Sequence, residues 1–432
     1  MVTIDPKTFN DDPFPLLHRM REEAPVQQAE FLDGLGRPRW LITRYDEALA
    51  ALNDLRFSND LFAVMGRREN PRGPDTGLVA EAIERAEAVQ GRAMANLDPP
   101  DHTRLRKLVV RAFSAKRMEA LRPMVQDVTD TLLDAVAGQD EFDLLEALAY
   151  PLSIRMVCAL LGVPADGVEV FRGAAAVLAG FMDDDDWARE TIRNLEAFDG
   201  YLRQLLADKR ADPRDDMLSD LIHSTEEGGR LSEEELVAMA GLMIFAGHET
   251  TVQLIINAVL ALHLNPAQMT ALRADHGLLS AMTDEVMRYD GPINPGINRV
   301  ALEDIEIGGV TIPKGSSVVI ATAAANRDPR AFSDPDRFDI TRSPEATHLG
   351  FGHGIHYCLG ARLAKIEAEC AVGTLLRRYA TVALATEPEN LRWRPGFLRM
   401  AEEFRIRVVD APPLSAHVPT VSPHRAGENA HV

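Results

Sequence analysis

A long apolar stretch at residues 231–264 restricts the fold of this chain more than any other feature. Ser232 opens the stretch and Glu235 follows three positions later, which is the pattern of a capping box at a helix N-terminus. The stretch therefore predicts one long helix that is buried in a core. Its middle, residues 246–251, places a glycine, an acid and two β-branched hydroxyl residues where a buried helix favours Ala or Leu. These residues either serve a function or bond back to helix carbonyls and bend the helix.

Composition and charge exclude several classes of protein. The length of 432 residues suggests about three domains by size alone. However, the chain shows no internal repeat, no apolar run of about 18 residues and no signal peptide at its polar, acidic start. We therefore expect a soluble, cytoplasmic protein without a membrane partner. The formal net charge of -20 argues against nucleic acid as a partner, and the 3 unpaired cysteines agree with a reducing compartment.

Cys358 lies in the glycine-rich run Phe-Gly-His-Gly-Ile-His-Tyr-Cys-Leu-Gly at residues 351–360. After Gly360 the apolar residues recur at helical intervals, so Cys358 precedes a helix N-terminus, where free N–H groups and the helix dipole favour a thiolate. The glycines allow a bulky flat ligand to approach the backbone, and Phe351 offers that ligand an aromatic face. The alternative is a buried structural cysteine, which is our interpretation of Cys158 and Cys370.

The run around Cys358 resembles the haem-ligand loop of the cytochrome P-450 family, and the resemblance covers nearly the whole chain. In that family the cysteine is the axial thiolate, so the resemblance implies that Cys358 is the metal ligand and that haem b is the cofactor. It implies a mainly α fold with small β-sheets (α+β), in which the haem lies between the long central helix and the helix after the cysteine loop. Residues 1–410 are then a single catalytic domain, and we expect residues 411–432 to be a disordered tail.

The resemblance also assigns catalytic roles within the central helix. It places Ala246, Gly247, Glu249 and Thr250 at an oxygen-binding kink. Gly247 leaves room for dioxygen, Thr250 hydrogen-bonds the bound oxygen, and Glu249 relays protons from solvent. Cleavage of the O–O bond consumes two protons, so a hydroxyl beside the iron and an acid behind it fit this chemistry.

The two propionates of the expected cofactor carry negative charge, which must be neutralised where the rim of the cofactor is buried. Basic residues are therefore expected beside them. His102 and Arg106 are four apart on a predicted helix and share a face. The alternative for each basic residue is a solvated charged face. By resemblance, the cofactor-binding residues are His102, Arg106, Arg299, His356, Phe351, Gly352 and Gly360.

A structural network is expected from Glu285 and Arg288, which are three apart in a predicted helix and can pair. In the resembled family an arginine of a later irregular segment, the meander, completes a triad. The resemblance assigns that place to Arg337, within residues 326–338, and implies that the triad holds the meander in place without chemistry.

Substrate identity is the least determined property of the sequence. The resemblance places apolar residues at the substrate, so we expect a mid-to-large hydrophobic molecule, with macrolide or polyketide tailoring in secondary metabolism as one assignment. Four consecutive aspartates at residues 183–186 lie in the expected lid and are either a solvated loop or an attraction for a cationic substrate. The residues expected at the substrate are Met94, Leu242, Met243, Ile293 and Phe397.

Three functions are compatible with these motifs. The first is a monooxygenase that uses dioxygen and takes electrons from NAD(P)H through an external reductase and ferredoxin, acting as a monomer. The second is a peroxide-driven haem-thiolate peroxygenase, and the third a non-catalytic haem protein that binds a gas or ligand. Glu249 and Thr250 favour the first, because the others need no proton relay. A basic cluster is expected to meet the ferredoxin or to be an ordinary solvated face: Arg104, Arg106, Lys107, Arg111, Lys116, Arg117, Arg362 and Lys365.

Periodicity predicts mostly helices and few strands. Besides the central helix, helices are expected at residues 14–23, 45–52, 103–113, 117–136, 150–161, 189–208 and 278–289. Strands are expected at residues 39–43, around Arg299, at residues 305–312 about a Gly-Gly turn, and at residues 317–321.

Overall fold

The long apolar stretch forms one uninterrupted helix, Glu233–Leu264, in the computed structural model of the protein. The capping box is confirmed: the Ser232 hydroxyl accepts from the Glu235 N–H at 3.2 Å, and the Glu235 carboxylate accepts from the Ser232 N–H at 2.8 Å. With 32 residues the helix is about 48 Å long and spans the molecule. It is long and apolar enough to cross a membrane, but 67% of its most apolar window is already covered by protein, as in a core helix.

The structure describes residues 2–31, 38–60, 77–164, 167–168, 170–171, 185–224, 230–343, 345–394, 396 and 398–411. Helices dominate these residues, so the expected mainly α fold with small β-sheets is confirmed. The α-helices are α1 (Pro6–Phe9), α2 (Phe14–Glu23), α3 (Tyr45–Asn53), α4 (Leu78–Gln90), α5 (Asp101–Val109), α6 (Ala115–Ala120), α7 (Arg122–Asp134), α8 (Tyr150–Leu161), α9 (Asp185–Ala211), α10 (Met217–His223), α11 (Glu233–Leu264), α12 (Pro266–Ala274), α13 (Leu279–Tyr289), α14 (Thr322–Ala325) and α15 (Ala361–Arg378).

Helices α8, α13 and α15 pack around the central helix α11, of which about two thirds of the residues are buried. The closest approach depends on Gly247: a Cβ at this position would lie 2.8 Å from a methyl carbon of Val157 on α8. No side chain larger than hydrogen fits there without displacing a neighbour, so Gly247 fixes the distance between the two helices.

The strands form small sheets beside the helices. A six-stranded sheet has the order β1-β2-β3-β9-β6-β4, a three-stranded sheet the order β10-β11-β5, and β7 and β8 form a hairpin. In the larger sheet β1 and β2 are parallel, as are β3 and β9, and the other pairs are antiparallel. The strands are β1 (Val2–Ile4), β2 (Val26–Phe31), β3 (Pro38–Ile42), β4 (Phe57–Ser58), β5 (Glu141–Asp143), β6 (Ile297–Ala301), β7 (Ile305–Ile307), β8 (Val310–Ile312), β9 (Ser317–Ile320), β10 (Tyr379–Leu384) and β11 (Arg405–Asp410).

The sequence predicted helices better than sheets. The predictions for α2 and α8 match to the residue, and the Gly-Gly turn between β7 and β8 is confirmed, with φ of 57° at Gly308 and 80° at Gly309. Helix α4 was not among the predicted helices. Strands β1, β2, β4, β5, β10 and β11 were not predicted. The expected disordered tail lies outside the described residues, except for Ala411.

Candidate functional site

The loop of Cys358 is turned by two glycines and ends at a helix N-terminus. Gly352 and Gly354 have φ of 71° and 68°, a region that residues with a side chain avoid. The turn brings the Cys358 N–H to the Phe351 carbonyl at 2.9 Å. Helix α15 begins at Ala361, and the backbone N–H groups of Gly360 and Ala361 at its start lower the pKa of the Cys358 thiol. The predicted position before a helix N-terminus is confirmed, and these donors favour a thiolate.

The Cys358 thiol is accessible but surrounded by protein. The Cys358 side chain has exposed surface, yet burial raises the pKa of its thiol. The Gly360 and Ala361 N–H groups and the Arg106 charge lower this pKa, but their effect is smaller than that of burial. Both observations hold if the sulfur lines an internal cleft instead of the outer surface. Cys158 and Cys370 are buried, and burial raises the pKa of the Cys158 thiol to about 11, as expected for structural cysteines.

Basic side chains gather beside the cysteine loop from three distant segments. The rings of His102 on α5 and His356 lie 4.1 Å apart between centroids. Arg106 donates to the Tyr357 carbonyl at 2.8 Å, and Arg299 on β6 is buried, with a hydrogen bond to the Asn298 carbonyl. The structure thus brings together all four residues that were predicted for the propionates.

These four groups disfavour positive charge on one another. Burial, followed by His102, Arg299 and Arg106, lowers the pKa of His356 to about 3. Burial lowers the pKa of Arg299 to about 10, although Asp98 opposes the shift. None of the four forms an ion pair with a carboxylate of any residue that the structure describes. A cluster of basic groups, two of them buried and two half-buried, without a bound acid among the described residues is matched to an anionic partner.

Unsatisfied polar atoms test whether haem fits this place. Both ring nitrogens of His102 are buried and have no hydrogen-bond partner among the described residues. Those residues also contain no group of three or more His, Cys, Asp or Glu side chains that could hold a metal ion, so Cys358 belongs to no such group. A single thiolate beside a cation cluster suits a metal that brings its own macrocycle and two carboxylates. The residues present therefore fit haem.

The central segment of α11 satisfies its polar groups within the helix. Thr250 donates to the Ala246 carbonyl at 2.8 Å, and Thr251 donates to the Gly247 carbonyl at 3.2 Å. Ala246 and Thr250, four apart, keep accessible surface on one side of an otherwise buried helix. The helix stays continuous, so the expected kink does not interrupt it, and the hydroxyls bond back to carbonyls as the structural alternative proposed.

Glu249 is directed toward its neighbour His248. An oxygen of Glu249 lies 3.3 Å from Nε2 of His248, while Nδ1 of His248 is 2.6 Å from the Ile244 carbonyl. The 3.3 Å contact is within ion-pair distance but lacks hydrogen-bond geometry. The structure therefore holds Glu249 and Thr250 on one helix turn without a bond between them among those it describes.

The structural triad is only partly as predicted. Glu285 and Arg288 form a buried bidentate pair, with both contacts at 2.8 Å, and Arg288 also donates to meander carbonyls, including Pro335 at 2.7 Å. Arg337 is a correction: its side chain is 63% exposed and pairs with Asp339. Arg342 takes its place, with Nε 3.3 Å from Glu285, because the meander turns after residue 337 and leaves only the Arg337 carbonyl facing Arg288.

The predicted substrate residues are partly placed. Met94 and Met243 are buried, and Leu242 and Ile293 are half-buried, with Ile293 bridged to Leu398. Phe397 lies outside the described residues, as do Asp183 and Asp184. Asp185 and Asp186 begin α9 and pair with Arg189 at 3.5 and 2.9 Å, so these two acids already have a cationic partner on their own helix.

Several residues of the predicted basic cluster are paired with carboxylates, so the net positive charge of this surface is smaller than the sequence suggests. Arg362 pairs with Glu119 at 2.7 Å. Three further members are also paired: Arg104 with Glu235, Arg117 with Asp220 and Lys365 with Asp284. Exposed apolar side chains that the sequence analysis missed lie beside the cysteine in the chain, namely Ile355 and Tyr357.

Sequence comparisons place these features among known proteins. The family model Cytochrome P450 matches residues 183–408. Cytochrome P450 107B1 of Saccharopolyspora erythraea is 45% identical over 396 residues, which cover 90% of this chain and 93% of the relative. Cytochrome P450 monooxygenase PikC of Streptomyces venezuelae is 42% identical, covering 90% and 89%. The 6-deoxyerythronolide B hydroxylase of Saccharopolyspora erythraea is 37% identical, covering 91% and 95%.

Solved structures show the same fold. The Bacillus subtilis bacillaene polyketide synthase cytochrome P450 PksS has a TM-score of 0.84 and 34% identity, covering 94% of this chain and 98% of its own. P450BioI in complex with an acyl carrier protein carrying hexadec-9Z-enoic acid has a TM-score of 0.83 and 34% identity, covering 93% and 99%.

Proposed function

The chain belongs to the cytochrome P450 family and is a haem-dependent monooxygenase, and from that premise we propose that it oxygenates a mid-to-large hydrophobic molecule of polyketide or macrolide type. The observation that carries the proposal is the site itself. An accessible thiol at a helix N-terminus stands beside four basic groups without an acidic partner among the described residues. Hydroxylation and epoxidation are both open to such a site.

The cofactor is haem b, and its iron, when held by a thiolate, supplies the redox chemistry that cleaves the O–O bond of dioxygen. We assign Cys358 as the residue that would bind the haem iron. His102, Arg106, Arg299 and His356 would hold the propionates, because they offer N–H donors without a bound acid among the described residues. Phe351 and the two glycines Gly352 and Gly360 would line the loop against the macrocycle.

On the central helix α11 we assign proton delivery to Glu249 and Thr250, beside Ala246 and Gly247. Thr250 reaches outward only if its hydroxyl rotates away from the Ala246 carbonyl, a rotation that costs no more than one weak hydrogen bond. Glu249 lies 3.3 Å from His248 and next to Thr250 in the chain, and we propose that it supplies the proton that Thr250 directs to the bound oxygen.

The substrate class is supported by the named relatives and by the apolar residues expected at the pocket. Relatives include a 6-deoxyerythronolide B hydroxylase, a vitamin D(3) 25-hydroxylase and a pentalenic acid synthase, all named for large, largely apolar substrates or products. Met94, Leu242 and Met243 are apolar and buried or half-buried, as a wall for such a molecule requires.

Family membership also implies redox partner proteins as the source of electrons. We propose a ferredoxin supplied by an NAD(P)H-dependent reductase, a monomeric enzyme, and action in the cytoplasm. We further propose that residues 1–410 are one catalytic domain, since the largest apolar core includes residues from Met94 to Val408.

The test is a screen of hydrophobic candidates against the purified ferric protein by difference spectroscopy, followed by turnover of each hit. We expect a Soret shift on binding and incorporation of one atom of isotopically labelled dioxygen when a ferredoxin, its reductase and NAD(P)H are present. Turnover with hydrogen peroxide alone at an equal rate would support the peroxygenase instead. Binding without any product would support a non-catalytic ligand-binding protein.

A further inference from the structure

Asn10, near the start of the chain, is bonded to a segment that lies 384 to 388 positions further along. Its side chain is buried, with 1% of its surface exposed. The amide Nδ2 donates to the carbonyls of Arg394, Gly396 and Leu398 at 2.9, 3.0 and 3.1 Å. In return, Nε of Arg399 donates to the Asn10 carbonyl at 2.9 Å. One small side chain therefore joins the N-terminal segment to three alternate carbonyls near the C-terminus.

These three carbonyls lie in the turn of an antiparallel hairpin. Trp393 and Ala401 are bridged in antiparallel register, so the chain reverses between them. Gly396 lies in this turn with a φ of 141°, in the region that residues with a side chain rarely adopt. Asn10 thus holds the turn of the hairpin and leaves its two arms to pair with each other.

The turn contacts a segment that the sequence predicts at the substrate. Leu398 is bridged to Ile293, and the Arg399 N–H donates to the Pro292 carbonyl at 3.0 Å. Ile293 is one of the expected substrate residues, and both Ile293 and Leu398 are half-buried. A bridge holds two backbones about 5 Å apart, so a displacement of the turn changes the position of Leu398 or Ile293. Asn10 therefore controls a stretch of wall that it does not itself form.

The hairpin is also bonded to the central helix. Oε1 of Gln253 accepts from the Ala401 N–H at 3.1 Å, and Gln253 lies three residues after Thr250 on α11. Nε2 of Gln253 donates to the Asn257 side chain at 2.6 Å, and Asn257 donates to the Asp290 carbonyl at 2.6 Å. The hairpin is thus tied to the part of α11 that carries the predicted catalytic residues.

A polar network of this kind is costly to bury. Arg399 pairs with the Asp290 carboxylate at 2.8 Å, and Arg399, Gln253 and Asn257 are all buried. Apolar side chains would pack here without the desolvation of amides and charges. Hydrogen bonds add direction, because they form in only one position of the hairpin against α11 and Asn10. The network therefore specifies one position of the turn.

We propose that Asn10 is a positioning residue for the substrate, and that its hold on the turn at Leu398 decides which carbon of a mid-to-large hydrophobic molecule is oxygenated. The inference rests on the proposed function and adds a determinant of regiochemistry outside the pocket wall. Asn10 acts by fixing Leu398 and Ile293 relative to Thr250. It takes no part in the chemistry.

The test compares Asn10→Ala and Asn10→Asp with Asn265→Ala. Aspartate keeps the size of asparagine, but its carboxylate cannot donate to three carbonyls. Asn265 is the matched control, because its amide donates to the Ala261 carbonyl of its own helix at 2.8 Å. With a substrate found by the screen, both Asn10 variants should raise the dissociation constant about fivefold or more in a Soret titration. The ratio of regioisomeric products should change about threefold or more, and the reduced carbon monoxide spectrum should stay as in the parent. Asn265→Ala should match the parent in all three.

Two further variants separate positioning from stability. Arg342→Ala is destabilised while its hairpin bonds are intact, so it should keep the parent product ratio. Gln253→Met frees the hairpin at its other end and should also change the ratio, which provides the measurement if Asn10→Ala does not fold. A parent product ratio in Asn10→Asp and Gln253→Met, or an equal change in Arg342→Ala, would overturn the inference while leaving oxygenation intact. A parent that forms no oxygenated product with any bound ligand would overturn the proposed function itself, and this inference with it.

Discussion

The surroundings of Cys358 and the middle of the central helix differ in how their polar groups are satisfied. Around Cys358, His102 has two buried nitrogens without a partner among the described residues, and Arg299 is buried without a carboxylate bound to it there. On α11, Thr250 bonds to a carbonyl of its own helix, and Glu249 lies against His248. The first region is prepared for a ligand, and the second is stable without one.

The difference has a physical meaning for the two kinds of residue. A residue that binds a cofactor can leave its donors unsatisfied in the fold, because the cofactor supplies the missing acceptor and the binding energy. A residue that transfers protons must instead change partners repeatedly, so weak, exchangeable bonds within the helix suit it. Substitutions should therefore affect cofactor retention in one region and the fate of electrons in the other.

The largest effect is expected from the metal ligand. Cys358→His should retain haem but abolish the thiolate-type Soret shift of the reduced carbon monoxide complex, together with monooxygenation, because the thiolate supplies the electron density for O–O cleavage. Absorption spectra of the purified variant measure this directly. Cys158→Ala and Cys370→Ala are matched controls that should retain the shift; a normal shift in Cys358→His would refute the assignment.

Removal of a propionate partner should weaken cofactor binding without changing the ligand sulfur. Arg299→Leu deletes a charged donor worth about 1.5–3 kcal/mol, so haem affinity should fall about 10- to 100-fold. Transfer of haem to apomyoglobin measures the loss, and Arg299→Lys should be intermediate. If Arg299→Leu releases haem no faster than the parent, Arg299 serves only the sheet in which it lies.

The triad correction predicts an effect on stability and not on the cofactor. Arg342→Ala leaves the buried Glu285 with one partner fewer and should lower the free energy of unfolding by about 1–3 kcal/mol. Arg337→Ala removes an exposed side chain and should change it by less than about 0.5 kcal/mol. Urea denaturation of the haem-bound protein compares the two, and the reverse order of effects would restore Arg337 to the triad.

The smallest change in the structure is expected from the central helix, where the effect should appear in coupling. Thr250→Ala frees one carbonyl and should alter stability by about 1 kcal/mol or less, while NAD(P)H consumption continues and hydrogen peroxide replaces product. Thr251→Ala removes the equivalent bond to the Gly247 carbonyl and is the matched control. Equal coupling in the parent and Thr250→Ala would remove Thr250 from proton delivery.

Local patterns allowed much of the fold to be predicted. Helix α8 was predicted to the residue because its apolar spacing is regular, and α11 was predicted within two residues because Ser232 and Glu235 mark its start. Helix α4 was missed because it is rich in Ala and Glu and carries few large apolar residues, so its periodicity is weak although its helix propensity is high. The pairing of the six-stranded sheet was not predicted, because its strands come from segments as distant as β1 and β9. The sequence of a short strand does not identify the strand with which it pairs.

The residues of the site were likewise predicted in part. The cluster of His102, Arg299 and His356 followed from motifs, and the structure brings these residues together. The choice between Arg337 and Arg342 could not be made from the sequence, since one lies in the irregular segment and the other just after it, and only the path of the backbone decides which guanidinium reaches Glu285. Glu367 was not singled out from the sequence, although it is an acid within the apolar spacing of α15, next to Ile366, and is fully buried.

The assembly of the basic cluster from distant segments has a consequence for the synthesis of the protein. His102 leaves the ribosome long before Arg299 and Cys358, and at about 5–20 residues per second the interval is on the order of ten to fifty seconds. During that time the early segments have neither the metal ligand nor the second half of the cation cluster. Haem can therefore bind only to nearly complete chains. In a cell short of haem, finished chains accumulate in which the four basic groups lack the anion that stabilises them.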